Sequence, residues 1–170
     1  MTGRIFTSTH QTYDLPPLLS WNVRHTGTVP CDSWSVTAVY QPEMLTVLRM
    51  AAGFAAIENG MTQLRGIVDE YTVELGSRGM TVTLSGRGYA ARLLDNESRP
   101  VTYEQVTLRE LIHCHAEPYG ISCEAAVDLR STVPYTAGVG ISQWKVISEF
   151  CRTYGGFLPR FAKTGGLLAT

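Results

Sequence analysis

Apolar and polar side chains alternate with a period of two through the segments 67–75 and 80–85. The connection between them, 76–79, begins and ends with glycine. Successive side chains of a strand point to opposite faces of a sheet, so this alternation predicts two half-buried strands. A connection this short joins antiparallel neighbours, and the sequence therefore predicts a β-hairpin. Its apolar positions are Ile67, Tyr71, Val73, Leu75, Met80, Val82 and Leu84.

Further strands are predicted before this hairpin. Residues 18–25 and 32–40 read as two strands joined by the loop 26–32. Together with the hairpin they should form an antiparallel, barrel-like domain closed around a shared core. The predicted core residues are Trp21, Trp34, Val36, Tyr71, Val73, Val82 and Leu84.

One helix is predicted within this β-rich half. The segment 42–54 starts with Pro42, which suits a first helical turn, and continues with frequent apolar residues. The pair Asn59-Gly60 then signals a tight hairpin turn, because both central residues of a type I′ turn need positive φ. The fold class predicted for the whole chain is α+β.

The period of the pattern changes after the polar stretch 95–100. We interpret this stretch as the junction between two domains, 1–95 and 96–170. The second domain is a smaller helix-strand segment and is expected to be incomplete. Thr107 and Glu110 have the spacing of a capping box, so a helix should begin at Leu108. Its expected apolar face consists of Leu108, Leu111, Ile112 and His115.

A strand over 122–129 and a second helix should follow. Ser142 is the predicted N-cap of that helix, and its apolar stripe includes Trp144, Ile147, Cys151 and Tyr154. Residues 157–162 and 166–170 are predicted to form a terminal hairpin. Because this last strand is apolar and has no polar tail, we expect an open edge or apolar face near Leu167 and Leu168.

Composition excludes several classes of protein. The chain has 170 residues, a net charge of −1 and 17% charged residues. These values argue against disorder, a coiled coil and a basic nucleic-acid surface. No apolar run reaches the length of a membrane span, and the polar start lacks a secretion signal, so export is not expected. The cysteines Cys31, Cys114, Cys123 and Cys151 show no metal or redox spacing, and buried thiols are expected.

A nucleotide site is the first chemical alternative. Gly86, Gly88 and Ala91 follow a strand with the spacing of a dinucleotide-binding fingerprint. That fingerprint needs a parallel strand–helix–strand unit, whereas the strand before Gly86 is predicted to be half of an antiparallel hairpin. The nucleotide interpretation is therefore disfavoured.

Metal and thiol chemistry are weakly supported. His113 and His115 lie two residues apart on a predicted helix, so they point about 200° from one another and cannot share one ion. Cys151 lies on an apolar stripe, where a buried neutral thiol is unreactive. We predict no metal ligands and no thiol nucleophile.

Carboxylates on the long hairpin offer a third possibility. Asp69, Glu70 and Glu74 could contribute to the carboxylate pair of a hydrolase. A salt bridge at the rim or at an interface is the favoured interpretation. Accordingly, no catalytic residues and no cofactor are predicted.

The order of these elements resembles the bacteriophage late control D family of tail baseplate hubs. The resemblance rests on a Gly66-Ile-Val-Asp69 strand paired with one ending in Gly86-Arg-Gly88, followed by the segments 107–121, 142–155 and 157–170. It spans roughly residues 18–170. Asp95-Asn96 departs from the longer polar ending usual in that family, whose members also continue through a second barrel. The chain therefore looks like an N-terminal portion.

The resemblance implies a structural role without enzymatic activity. Such hubs are trimers that join the tail tube to the central spike in the baseplate of a virion, assembled in the bacterial cytoplasm. We accordingly expect a homo-oligomer, with a trimer favoured, that assembles through the strand 63–75 or the terminal strand 166–170. The other expected partners are baseplate proteins. Neither nucleic-acid binding nor membrane insertion is expected. The alternatives are a tail-associated cell-wall hydrolase and a nucleotide-binding domain.

Overall fold

The computed structural model describes residues 1–27, 30–77 and 79–170, and it confirms the α+β class. Positions 28 and 29 of the predicted loop and position 78 of the predicted turn lie outside the described residues. The chain forms two compact units, Met1–Gly88 and Tyr89–Thr170. The division comes before helix α2 (Ala90–Leu94) and not after it, because Leu93 of that helix is buried in the second core.

The first unit is built on one antiparallel sheet of seven strands. They lie in the order β2-β1-β5-β6-β7-β4-β3, and one short helix, α1 (Met44–Arg49), connects β4 to β5. The strands are β1 (Thr2–Thr7), β2 (Thr12–Asp14), β3 (Leu18–Arg24), β4 (Ser33–Val39), β5 (Ala51–Glu58), β6 (Met61–Gly76) and β7 (Gly79–Gly88).

The sheet is strongly curved but does not close. Trp34 on β4 and Phe54 on β5 stack with their ring centroids 3.8 Å apart, although β6 and β7 separate the two strands in the sheet. Such a contact requires the sheet to curl around its core. Among the described residues β2 and β3 remain unpaired edges, so the structure has barrel-like curvature without a closed barrel.

Most of the predicted first core is confirmed. Trp34, Val36, Val82 and Leu84 are buried in a cluster that also includes Ile5, Met44, Leu48 and Phe54. Tyr71 and Val73 are partly buried at its border. Trp21 was predicted wrongly, because it lies on the edge strand β3 and is 51% exposed.

Two glycines allow the long hairpin to form as it does. A methyl group on Gly86 would overlap the carbonyl oxygen of Ile67 and approach the Trp34 indole to 2.9 Å. A methyl group on Gly66 would likewise overlap the Arg87 carbonyl oxygen. The pairing of β6 with β7 shifts register between Val68 and Glu70, as in a β-bulge. Glycine is therefore needed where the bulged strands approach most closely.

The helix predicted over 42–54 was too long. It ends at Arg49, and β5 begins at Ala51 with Phe54 and Ala56 completely buried. Pairing with β1 and β6 on both sides outweighs the helical propensity of this alanine-rich segment. The Asn59-Gly60 turn is confirmed, with φ values of 51° and 76°.

The second unit packs α2 and two longer helices against short strands. Helix α3 (Leu108–His115) begins with the predicted capping box of Thr107 and Glu110, and a 3₁₀ turn (Glu117–Tyr119) follows it. Helix α4 (Gln143–Phe150) has the predicted Ser142 cap and continues into a π-helical turn (Cys151–Gly155). The strands are β8 (Val101–Tyr103), β9 (Cys123–Ala126), β10 (Tyr135–Ala137), β11 (Arg160–Phe161) and β12 (Leu167–Ala169).

The core of this unit lies between the two helices. The predicted inward face of α3 is confirmed, because Leu108, Leu111, Ile112 and His115 are all buried. On α4 the buried apolar residues are Val146, Ile147 and Phe150. Trp144 is only partly buried and packs against Phe161.

The terminal hairpin is confirmed, but its last strand is not an edge. β12 pairs antiparallel with β11 and parallel with β9, so it is the central strand of three. Leu167 and Ala169 are completely buried. The expectation of an open apolar strand at 166–170 was therefore wrong, because β9 covers its other side. No helix within the described ranges is long and apolar enough to cross a membrane.

Replacing Gly86 by Ala should destabilise the first unit by about 3 kcal/mol or more, because the methyl group collides with backbone that cannot move without separating β6 from β7. Apart from its chain neighbours, no described residue has a heavy atom within 4 Å of the corresponding position on Gly27. Gly27→Ala should therefore change the unfolding free energy by less than about 0.5 kcal/mol. Urea unfolding of both variants measures the difference, and equal effects would contradict this role of Gly86.

Candidate functional site

The glycine motif at the end of β7 is not built as a nucleotide site. β7 lies between β6 and β4 and is antiparallel to both. The strand–helix–strand unit that brings backbone to a pyrophosphate is therefore missing at this position. The space beside Gly86 is filled by Trp34, whose Nε1 donates a hydrogen bond to the Ile67 carbonyl oxygen at 3.1 Å.

Two of the three hairpin carboxylates, Asp69 and Glu70, are held in surface interactions, and the third, Glu74, is exposed. Asp69 is the extra residue at the bulge, and both of its oxygens accept hydrogen bonds from Arg87, at 2.9 and 3.0 Å. Glu70 accepts one from the Ser85 hydroxyl at 3.1 Å. The predicted salt bridge at Asp69 is thus present, and an Asp69 carboxylate paired with Arg87 is poorly placed to act as an acid or base.

The two neighbouring histidines of α3 lie in different environments, as predicted. His113 is exposed, and its Nδ1 lies 2.7 Å from Oε2 of Glu117 on the same helix face. His115 is buried and faces the second core. In the parts of the chain that the structure describes, no three histidine, cysteine or acidic residues are grouped as metal ligands.

A buried polar network surrounds His115. The Gln143 amide nitrogen donates to the Glu97 carbonyl oxygen at 2.8 Å and to the Tyr119 hydroxyl at 2.9 Å. Its Oε1 therefore faces His115 Nδ1 at 2.6 Å and can only accept, so Nδ1 must donate. In the neutral ring Nε2 is then an acceptor, and the Tyr103 hydroxyl donates to it at 3.1 Å.

This network forms the floor of a cleft in the second unit. The cleft has a volume of about 600 Å³ and combines apolar walls with the network's tyrosines. Its lining residues are Glu97, Arg99, Pro100, Val101, Tyr103, Cys114, His115, Pro118, Tyr119 and Gln143. Burial raises the pKa of the Tyr103 hydroxyl, and so does the neighbouring Cys114 thiol.

Sequence reasoning found His115 but not its partners. Gln143 directly follows the helix cap and has no sequence signal of its own. Tyr103, Tyr119 and Glu97 come from three other segments, so only the tertiary fold shows that they meet. The four polar side chains, Tyr103, His115, Tyr119 and Gln143, together with the peptide carbonyl of Glu97 can hold and orient a ligand, but they contain no activated nucleophile.

The described cysteines form no disulfide in this structure. Cys151 is completely buried in the second core, as predicted, whereas the expectation of a buried thiol was wrong for Cys114, which is exposed. Burial raises the pKa of its thiol from 9.0 to about 12. A thiol in this state is protonated at neutral pH and is a poor nucleophile.

Alkylation with iodoacetamide at a pH of about 8.5 should therefore modify the exposed Cys114 and leave Cys151 unmodified until the chain is unfolded. Peptide mass mapping before and after addition of urea provides the measurement. Cys114 is the internal control, since it lies on the surface of the same unit. Modification of Cys151 in the native protein at a rate similar to that of Cys114 would show that its environment is open.

The sequence matches no known protein family and no curated protein. The fold is similar to that of a tail protein from Neisseria meningitidis MC58, with a TM-score of 0.71 and 14% identity over 98% of this chain. It is also similar to that of a tail protein of prophage MuSo2 from Shewanella oneidensis, with a TM-score of 0.74 and 14% identity over 98% of this chain. The chain spans about half the length of each, 50% and 53% respectively. Both structural neighbours are tail proteins, and the likeness shows a shared fold.

Proposed function

We propose that this chain is a structural component of a phage tail, specifically part of a baseplate hub of the late control D type that joins the tail tube to the spike. The observation that carries the proposal is a fold shared with two tail proteins over 98% of the chain. The Gly66-Ile-Val-Asp69 and Gly86-Arg-Gly88 strands support it, because they pair as the family resemblance implies.

The long hairpin provides a surface for assembly. β5 pairs with β6 only as far as Ile67, and β6 continues to Gly76. Among the described residues, β7 alone pairs with the outer half of β6, so one edge of that half is open. An open edge of this length is a template for pairing with another chain.

Apolar side chains accompany this open edge. Leu75 and Met80 lie opposite each other at the end of the hairpin, and Leu75 is 80% exposed. They share the sheet face of Val73 and Val82, so the apolar face of the first core extends beyond the residues that cover it. Burial of this face in an oligomer would be favourable, since apolar area removed from water stabilises an interface. We propose a homo-oligomer, with a trimer favoured, in the tail of a virion.

Self-association should be detectable by light scattering across a dilution series up to about 100 μM, a concentration well above a micromolar dissociation constant. Leu75→Glu should weaken it at least tenfold, because a charge would be buried beside the open edge. Leu158 is 58% exposed and lies in the second unit, so Leu158→Glu is the matched control and should have no effect. A wild-type chain that stays monomeric over the whole series would contradict the proposed assembly.

The proposed role is not enzymatic, and the purified chain should not release soluble fragments from peptidoglycan. The physical reasons are the pairing of Asp69 with Arg87 and the protonated state of the Cys151 thiol. A turbidity assay with purified cell walls tests this, with Asp69→Asn and Cys151→Ala as control variants. Lysis by the wild type that either substitution abolishes would favour the hydrolase alternative.

A further inference from the structure

The cleft above His115 and Gln143 has no role in the proposed assembly. Its volume of about 600 Å³ lies within the range of ligand-binding sites. The floor is rigid, because both nitrogens of His115 and the whole amide of Gln143 are hydrogen bonded. A ligand would therefore meet a surface that is already organised before it binds.

The cleft offers a hydrogen-bond donor to a ligand. The Tyr119 oxygen accepts a hydrogen bond from Gln143, and its own proton has no acceptor among the described residues. Since Tyr119 lines the cleft, this proton is available to a bound acceptor such as a carbonyl oxygen.

The walls and the charges restrict the ligand further. Pro100, Pro118, Tyr103 and Tyr119 all line the cleft, so most of its apolar lining comes from ring-bearing residues. Glu97 and Arg99 both line the cleft and carry opposite charges, so they favour neither an anion nor a cation. The chemistry therefore fits a neutral ligand that has apolar rings and exposed carbonyl groups.

We propose that this cleft binds an extended, proline-containing segment of a partner polypeptide. A polyproline II segment has no internal hydrogen bonds, so its carbonyl oxygens are free to accept one from Tyr119. Its proline rings pack against tyrosine rings, as in other aromatic-lined grooves that bind such segments. The extended conformation is already preferred in the free peptide, which lowers the entropy cost of binding.

Titration of the ¹⁵N-labelled chain with an acetylated, amidated octaproline tests the proposal. At a peptide concentration of about 1 mM, a weak complex should shift the amide signals of residues 101–103, 114–117 and 119. An octa-alanine peptide with the same end groups should give no such shifts, because it provides carbonyls without rings. Equal shifts with both peptides, or no shifts with octaproline, would overturn the proposal.

Two variants localise the binding. Tyr119→Phe keeps the ring and removes the donor, and should weaken binding about threefold to tenfold, as expected for one hydrogen bond. Tyr154→Phe is the same change outside the cleft and should have no effect. If Tyr119→Phe does not fold, Cys114→Phe at an exposed position should fill the cleft and abolish the shifts. Unchanged binding in folded Tyr119→Phe or Cys114→Phe would contradict the assignment.

Discussion

The first unit depends on the way one indole ring lies across a glycine. Trp34 occupies the space beside Gly86, donates to the Ile67 carbonyl oxygen and stacks on Phe54 from three strands away. These contacts join β4, β6 and β5 across the concave face of the sheet. Any side chain at Gly86 would expel the Trp34 ring. The curvature of the sheet, which this ring stabilises, therefore depends on glycine at position 86. A stretch that imitates a phosphate-binding loop is thus explained by packing.

Part of this structure could be predicted from the sequence because it depends on local patterns. The alternation over β6 and β7 and the capping box at Thr107 each specify an element through residues close in the chain. The early end of α1 and the exposure of Trp21 could not be predicted. Both depend on which strands become neighbours. Residues 51–58 form a strand because they pair with β1 and β6, whereas Trp21 is exposed because β3 lies at the edge of the sheet.

The candidate site likewise has features that local sequence patterns predict and features that they do not. The burial of His115 follows from the helical period, and the separation of His113 from it follows from helix geometry. Gln143 is different, because its amide is satisfied by groups at positions 97, 115 and 119. A polar residue in a core is stable only when every hydrogen-bonding atom has a partner. Such complete satisfaction is a property of the assembled unit, and no short segment of the sequence encodes it.

The central position of β12 also has a consequence for how the second unit is made. β12 pairs in parallel with β9, which precedes it by about forty residues, and it buries Leu167 and Ala169 between its neighbours. Contacts between distant segments form late, because a long loop must first be closed. During translation, α3 and α4 can therefore leave the ribosome with their shared core still partly open. Until residues 167–169 are available, that nascent unit exposes apolar surface of the kind that chaperones bind.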